Sequence, residues 1–141
     1  MGEYILYFAT DKFELVPGWK EIIIQKALEA NDILIDCYDE DKDTINELRE
    51  LNGYEYKEYK HMTFFRFECN SKNVKELIFD RFIDNRLCWF SVFLMTEGRL
   101  LFSFEHHASE FTIHGLSKDE IEHLISIMPY DANCIPHKIE V

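Results

Sequence analysis

Glycine and proline are scarce in this chain, five and three among 141 residues, and the glycines form no cluster. Neither a Walker loop nor a dinucleotide-binding loop can be written from them, which excludes nucleotide binding through a known glycine-rich motif. Repeats, low-complexity tracts and Gly/Ser/Pro-rich linkers are missing too, so nothing marks an internal boundary and the expectation is one domain over residues 1–141. Long apolar runs are also lacking. The longest uncharged one, Leu87 to Met95, is about half of what a bilayer-spanning helix needs. The run Tyr4–Ala9 has no basic residue before it and no small-residue cleavage pattern after it, so it reads as a strand rather than a signal peptide. Lipidation at Gly2 would need Ser or Thr where Leu6 stands. The expected setting is soluble and cytoplasmic, with no membrane partner.

Close cysteine spacing is absent as well: Cys37, Cys69, Cys88 and Cys134 lie 32, 19 and 46 positions apart. Structural zinc usually shows at least one short Cys or His pair, so reduced thiols are expected, with no metal and no cofactor. Ser91, Ser103, Ser109, Ser117 and Ser126 lack the Gly-x-Ser-x-Gly elbow, and no catalytic residue is assigned. Basic residues are few, 15 against 27 acidic, for a net charge of −12. The deficit is uneven: residues 1–58 carry 15 acidic and 6 basic side chains, residues 59–100 carry 5 and 7, and residues 101–141 carry 7 and 2. Binding to a phosphate backbone needs clustered Lys and Arg, so nucleic acid is not an expected partner.

What the chain has in quantity is aromatic side chains, 12 Phe, 7 Tyr and 2 Trp in a 47% hydrophobic sequence. That content argues for a packed core despite the charge. Tyr4–Ala9 and Ile33–Tyr38 read as strands, and Trp19–Ala30 as a helix with Pro17 as its first residue. A second helix is expected from Asp43 to Leu51, capped by Thr44 and Glu47 and stopped at Asn52-Gly53. Tyr54–Cys69 reads as one long strand or two joined by a bend near Lys60-His61. Asn73 and Glu76 are spaced as a capping box for a third helix to about Asn85. Leu87–Met95 and Arg99–His106 flank Glu97-Gly98 as a hairpin, with Glu110–His114 as a further strand. Ser117 and Glu120 box the start of a last helix, Leu116 and Ile121 staple it, and Pro129 ends it. The order β-α-β-α-β-α-β-β-β-α predicts an α+β sandwich, its sheet mixed or mainly antiparallel with helices packed on it.

Three constellations bear on function. Asp39, Asp41, Asp43, Glu47 and Glu50 resemble positions 1, 3, 5, 9 and 12 of the calcium loop of EF-hand proteins. Position 6, where the loop needs glycine, is Thr44, and the entering helix is replaced by the strand Ile33–Tyr38. A helix start explains the same acids. His106, His107 and His114, with Glu105 or Glu110 as carboxylate partners, could serve a small metal-dependent or acid/base enzyme. The two adjacent histidines would point to opposite faces of a strand, which weakens that reading. Asp36, Tyr38, Asp39, Glu40, Asp41, Asp43, Tyr54, Glu55, Tyr56 and Glu58 would form an acidic and aromatic surface if their strands are neighbours. Such a surface suits a basic protein partner, because aromatics supply contact area while carboxylates steer and pair. In size, charge and aromatic content the chain resembles bacterial immunity proteins. That resemblance implies an antitoxin-type inhibitor of a basic, nuclease-like toxin, monomeric or weakly dimeric when free. The remaining alternative is a structural subunit of an assembly.

Overall fold

Alternating apolar residues along the strands build one broad sheet, and amphipathic helices cover one side of it. The computed structural model describes residues 4–128 and 133–138. In chain order the elements are β1 (Tyr4–Ala9), α1 (Trp19–Ala27), β2 (Asp32–Tyr38), α2 (Lys42–Arg49), β3 (Tyr54–Tyr56), β4 (Met62–Glu68) and α3 (Ser71–Leu77). There follow β5 (Phe82–Ile83), β6 (Arg86–Leu87), β7 (Ser91–Thr96), β8 (Arg99–Glu105), β9 (Glu110–Leu116), α4 (Lys118–Ile127) and β10 (Asn133–Lys138). Eight strands form the main sheet in the order β10-β1-β9-β8-β7-β2-β4-β3, and β5 and β6 make a small separate hairpin. Every neighbouring pair in both sheets is antiparallel. The α+β expectation holds.

One face of the sheet carries Leu6, Phe8, Ile33, Ile35, Phe65, Phe67, Val92, Leu94, Phe102, Phe104, Phe111 and Ile113, all buried. The helices bury Ile23, Ile45, Leu48, Val74, Leu77, Ile121 and Leu124 in the same cluster. Phe13, on a short 3-10 turn, wedges its ring edge-on against Phe104 and Phe111 at 4.8 and 4.4 Å between centroids. Trp89 donates its indole N–H to the Leu77 carbonyl at 2.7 Å, tying the end of α3 to this layer. Between α1 and α4 lies a groove of about 520 Å³ floored by Ile113 and Leu116, into which the nearly buried Lys26 reaches.

Several local expectations are corrected. Pro17 precedes the first helix instead of opening it, because Gly18 takes the left-handed cap position, and α1 stops at Ala27. Helix α2 begins after Asp41 with no side-chain cap, so the Thr44/Glu47 box does not form. Asn70, not Asn73, caps α3, its side chain accepting from the Asn73 N–H at 2.8 Å. That helix ends at Leu77, and left-handed Asp84 and Asn85 turn the β5–β6 hairpin where helix was expected. The stretch Leu87–Met95 is broken between β6 and β7. Strand β10 was not anticipated, and Pro129 lies outside the described residues. The Ser117/Glu120 box forms in full, and Glu97 and Gly98 both adopt positive φ to turn the β7–β8 hairpin.

Candidate partner-binding face

Pairing register decides which side chains share the second face of the sheet. Residues directly opposite one another in neighbouring strands point the same way. Tyr54 and Tyr56 on β3 stand opposite Arg66 and Phe64 on β4, and these stand opposite Leu34 and Asp36 on β2. Leu34 and Asp36 in turn face Phe93 and Ser91 on β7, and Phe93 faces Ser103 on β8. Ser103 meets Thr112 on β9, which meets Tyr7 on β1. Among the described residues the helices bury their apolar side chains in the core on the other side, which leaves this face open. Leu34, Phe64, Phe93, Met95, Tyr7 and Tyr56 on this face are half-buried.

Of the acidic and aromatic residues singled out in the sequence, Asp36, Tyr38, Tyr54 and Tyr56 share this face. Tyr54 and Tyr56 stack at 5.8 Å, Tyr56 stacks on Phe64 at 5.5 Å, and the Arg66 guanidinium lies over Tyr54. Glu55 points the other way and pairs with Arg49 at 2.7 and 2.9 Å, which holds its carboxyl below the usual range. Asp39, at the end of β2, accepts from Lys57 at 2.5 Å and Thr63 at 2.6 Å, and these bonds lower its pKa. Glu40, Asp41 and Asp43 are exposed in the turn and first turn of α2, and Glu58 is exposed in the β3–β4 link. The structure therefore brings together four of the ten residues and sets the rest along one rim or on the helix side.

The calcium-loop resemblance fails, because residues 42–49 are helical, Asp39 is held by Lys57, and Glu47 pairs with Arg81. The three histidines are not assembled either. His106 contacts the Glu110 carboxylate, His107 Nδ1 lies 3.0 Å from the Leu87 carbonyl, and His114 sits farther along β9. No group of three His, Cys, Asp or Glu side chains among the described residues could hold a metal. Burial pushes the Cys37 thiol up to about 12 and those of Cys69 and Cys88 up to about 11, which suits packing rather than nucleophilic attack.

Sequence reasoning singled out Asp36, and Glu110 only as a histidine partner, but not Tyr7, Leu34, Phe64 or Phe93 at the centre of the open face. Tyr7 donates to Glu110 Oε1 at 2.5 Å, and that bond, aided by burial, pushes its hydroxyl up to about 12. Glu110 is correspondingly lowered, first by Tyr7 and then by His106. Asp36 is only 9% exposed. Its Oδ1 has no hydrogen-bond partner among the described residues, and burial holds its carboxyl above the usual range, partly offset by the Ser91 hydroxyl. The available signal was the second set of alternating positions, Leu34/Asp36, Phe64/Arg66 and Phe93/Met95, which complements the core set.

The geometry defines the class: an antiparallel sheet covered by helices on one side and carrying an aromatic, acidic open face on the other. No protein-family model, curated protein or solved structure matches the chain. Among the described residues no helix is long and apolar enough to cross a membrane.

Proposed function

We propose that this chain is a non-catalytic binding domain that docks a basic protein on its open sheet face, and in its most concrete form an immunity or antitoxin-type inhibitor of a nuclease-like toxin. The observation that supports this reading most directly is the open face itself, with half-buried Phe93, Phe64, Tyr56 and Leu34 in one contiguous patch among carboxylates. Contiguous apolar surface of this kind marks interaction sites, and aromatic residues dominate their energetics. Exposed Glu40, Asp41 and Asp43 along the rim would draw a positive surface in and orient it. Affinity purification from the source cell tests the reading with wild-type chain and Phe93→Asp, circular dichroism confirming that the variant folds. The expected catch is a basic protein, released by salt, whose retention falls sharply in Phe93→Asp. A neutral or acidic catch, or retention indifferent to Phe93, would overturn the assignment. The inhibitor version further requires that co-expression of the chain relieve growth arrest by the captured protein.

One observation favours a second reading, the acid/base enzyme. His106, Glu110 and Tyr7 form a hydrogen-bonded trio at a turn of unusual backbone, and strained turns collect at active sites. A hydrolytic activity abolished by His106→Gln, with partner binding unchanged, would select it.

A further inference from the structure

Asp36 stands mid-face on β2, directly opposite Ser91 on β7. The β7–β8 register, which pairs Val92 with Phe104, continues to place Glu105 of β8 on the far side of Ser91, and Glu105 is opposite Glu110 of β9. Two carboxylates thus flank a small serine across two strand spacings, on the order of 10 Å between backbones. Like charges directly opposite each other, as Glu105 and Glu110 are, destabilise a sheet. Glu110 is satisfied by Tyr7 and His106, whereas the Glu105 carboxylate makes no hydrogen bond or ion pair among the described residues. Asp36 is nine-tenths buried with an unpartnered oxygen. The arrangement is costly for the free protein.

Aromatic rings close one end of this notch. Phe90 meets Tyr38 at 4.8 Å and His106 at 5.2 Å, both edge to face. Behind them the β8–β9 turn holds His106, His107 and Ala108 at φ of 53°, 59° and 69°. Left-handed backbone is unfavourable for L-residues other than Asn and Asp. The turn is held in place by bonds from His107 N–H to the Phe90 carbonyl and from Leu87 N–H to the His107 carbonyl, both 2.9 Å. Phe90 and His106 are therefore fixed relative to the carboxylate row.

We propose that this notch receives one arginine guanidinium of the basic partner, bridging Asp36 and Glu105 above Ser91 with Phe90 at its rim. The proposal rests on the docking reading of the same face. A guanidinium fits because it is planar, offers five donors that two separated carboxylates can share, and packs well against aromatic rings. A compact ammonium spans such a gap poorly. The raised Asp36 pKa agrees, since a cation would repay what burial and the neighbouring Glu105 take away.

The test titrates isotope-labelled full-length chain with N-acetyl-arginine amide, its lysine counterpart and the uncharged citrulline isostere, following backbone amide shifts. Arginine should move Asp36, Phe90, Ser91 and Glu105 together, lysine should do so several-fold more weakly, and citrulline should not. An Asp36→Asn/Glu105→Gln double variant should bind arginine about tenfold or more weakly. Equal response to lysine, shifts centred on Glu40–Asp43, or an unaffected double variant would overturn the notch. If the isolated partner binds the double variant as tightly as wild type but not Phe93→Asp, the docking face stands and the notch falls. If Phe93→Asp binds the partner normally while arginine still titrates the notch, the notch stands and the docking face falls.

Discussion

Asp36 and Gly53 show how single residues set the terms at the residue scale. The Asp36 carboxyl holds its proton more tightly folded than unfolded, so the folded state has its greatest advantage below the ordinary aspartate value of about 3.9 and loses it as pH rises through the raised value. Asp36→Asn should therefore stabilise the free chain at neutral pH by on the order of 1 kcal/mol and flatten that decline, read from denaturant midpoints across pH. Glu110 acts in the opposite sense: its lowered pKa contributes stability above its unfolded value, lost as pH falls through the folded one. At Gly53 an added Cβ would lie 2.5 Å from the Phe67 ring, which is itself buried in the core. Gly53→Ala should cost about 1–3 kcal/mol, measurable as a lower denaturation midpoint.

Legibility at the element scale followed the kind of signal each element used. Helix α4 was readable because its capping box, staple and apolar spacing agree, and Ser117→Ala should cost about 1 kcal/mol and reduce protection of the first-turn amides in hydrogen exchange. Helices α2 and α3 were misjudged at their ends because several polar residues could cap each, and tertiary packing chose among them. Residues 78–85 carry a helix-compatible apolar pattern, yet Phe82 is drawn onto Phe104 and Phe13 at 5.6 and 6.0 Å, which favours the hairpin. The candidate site was half legible. Tyr38, Tyr54 and Tyr56 could be grouped with Asp36 on the condition that their expected strands are neighbours, which the pairing of β2, β4 and β3 meets, but Ser91, Glu105 and Glu110 reach that face only through long-range register, which no local pattern encodes.

At the scale of the whole molecule the two sides of the sheet differ in character. Helices and core occupy one face of the sheet, while the other keeps aromatics and uncompensated carboxylates in a chain of net charge −12. Neutralising Glu40, Asp41 and Asp43 together should slow partner association several-fold at low salt and flatten its salt dependence, with little change in dissociation, as stopped-flow or surface-plasmon measurements would show. The strand order has a further consequence, in time rather than space. Strand β1 is the first of the described strands along the chain, yet its two neighbours are β9 and β10, the last of them. The growing chain can pair β2, β4, β7 and β8 among themselves while β1 still waits, its apolar Leu6 and Phe8 without a sheet to join. Closure of the sheet thus waits until β9 and β10 have been made, roughly a hundred residues of chain after β1.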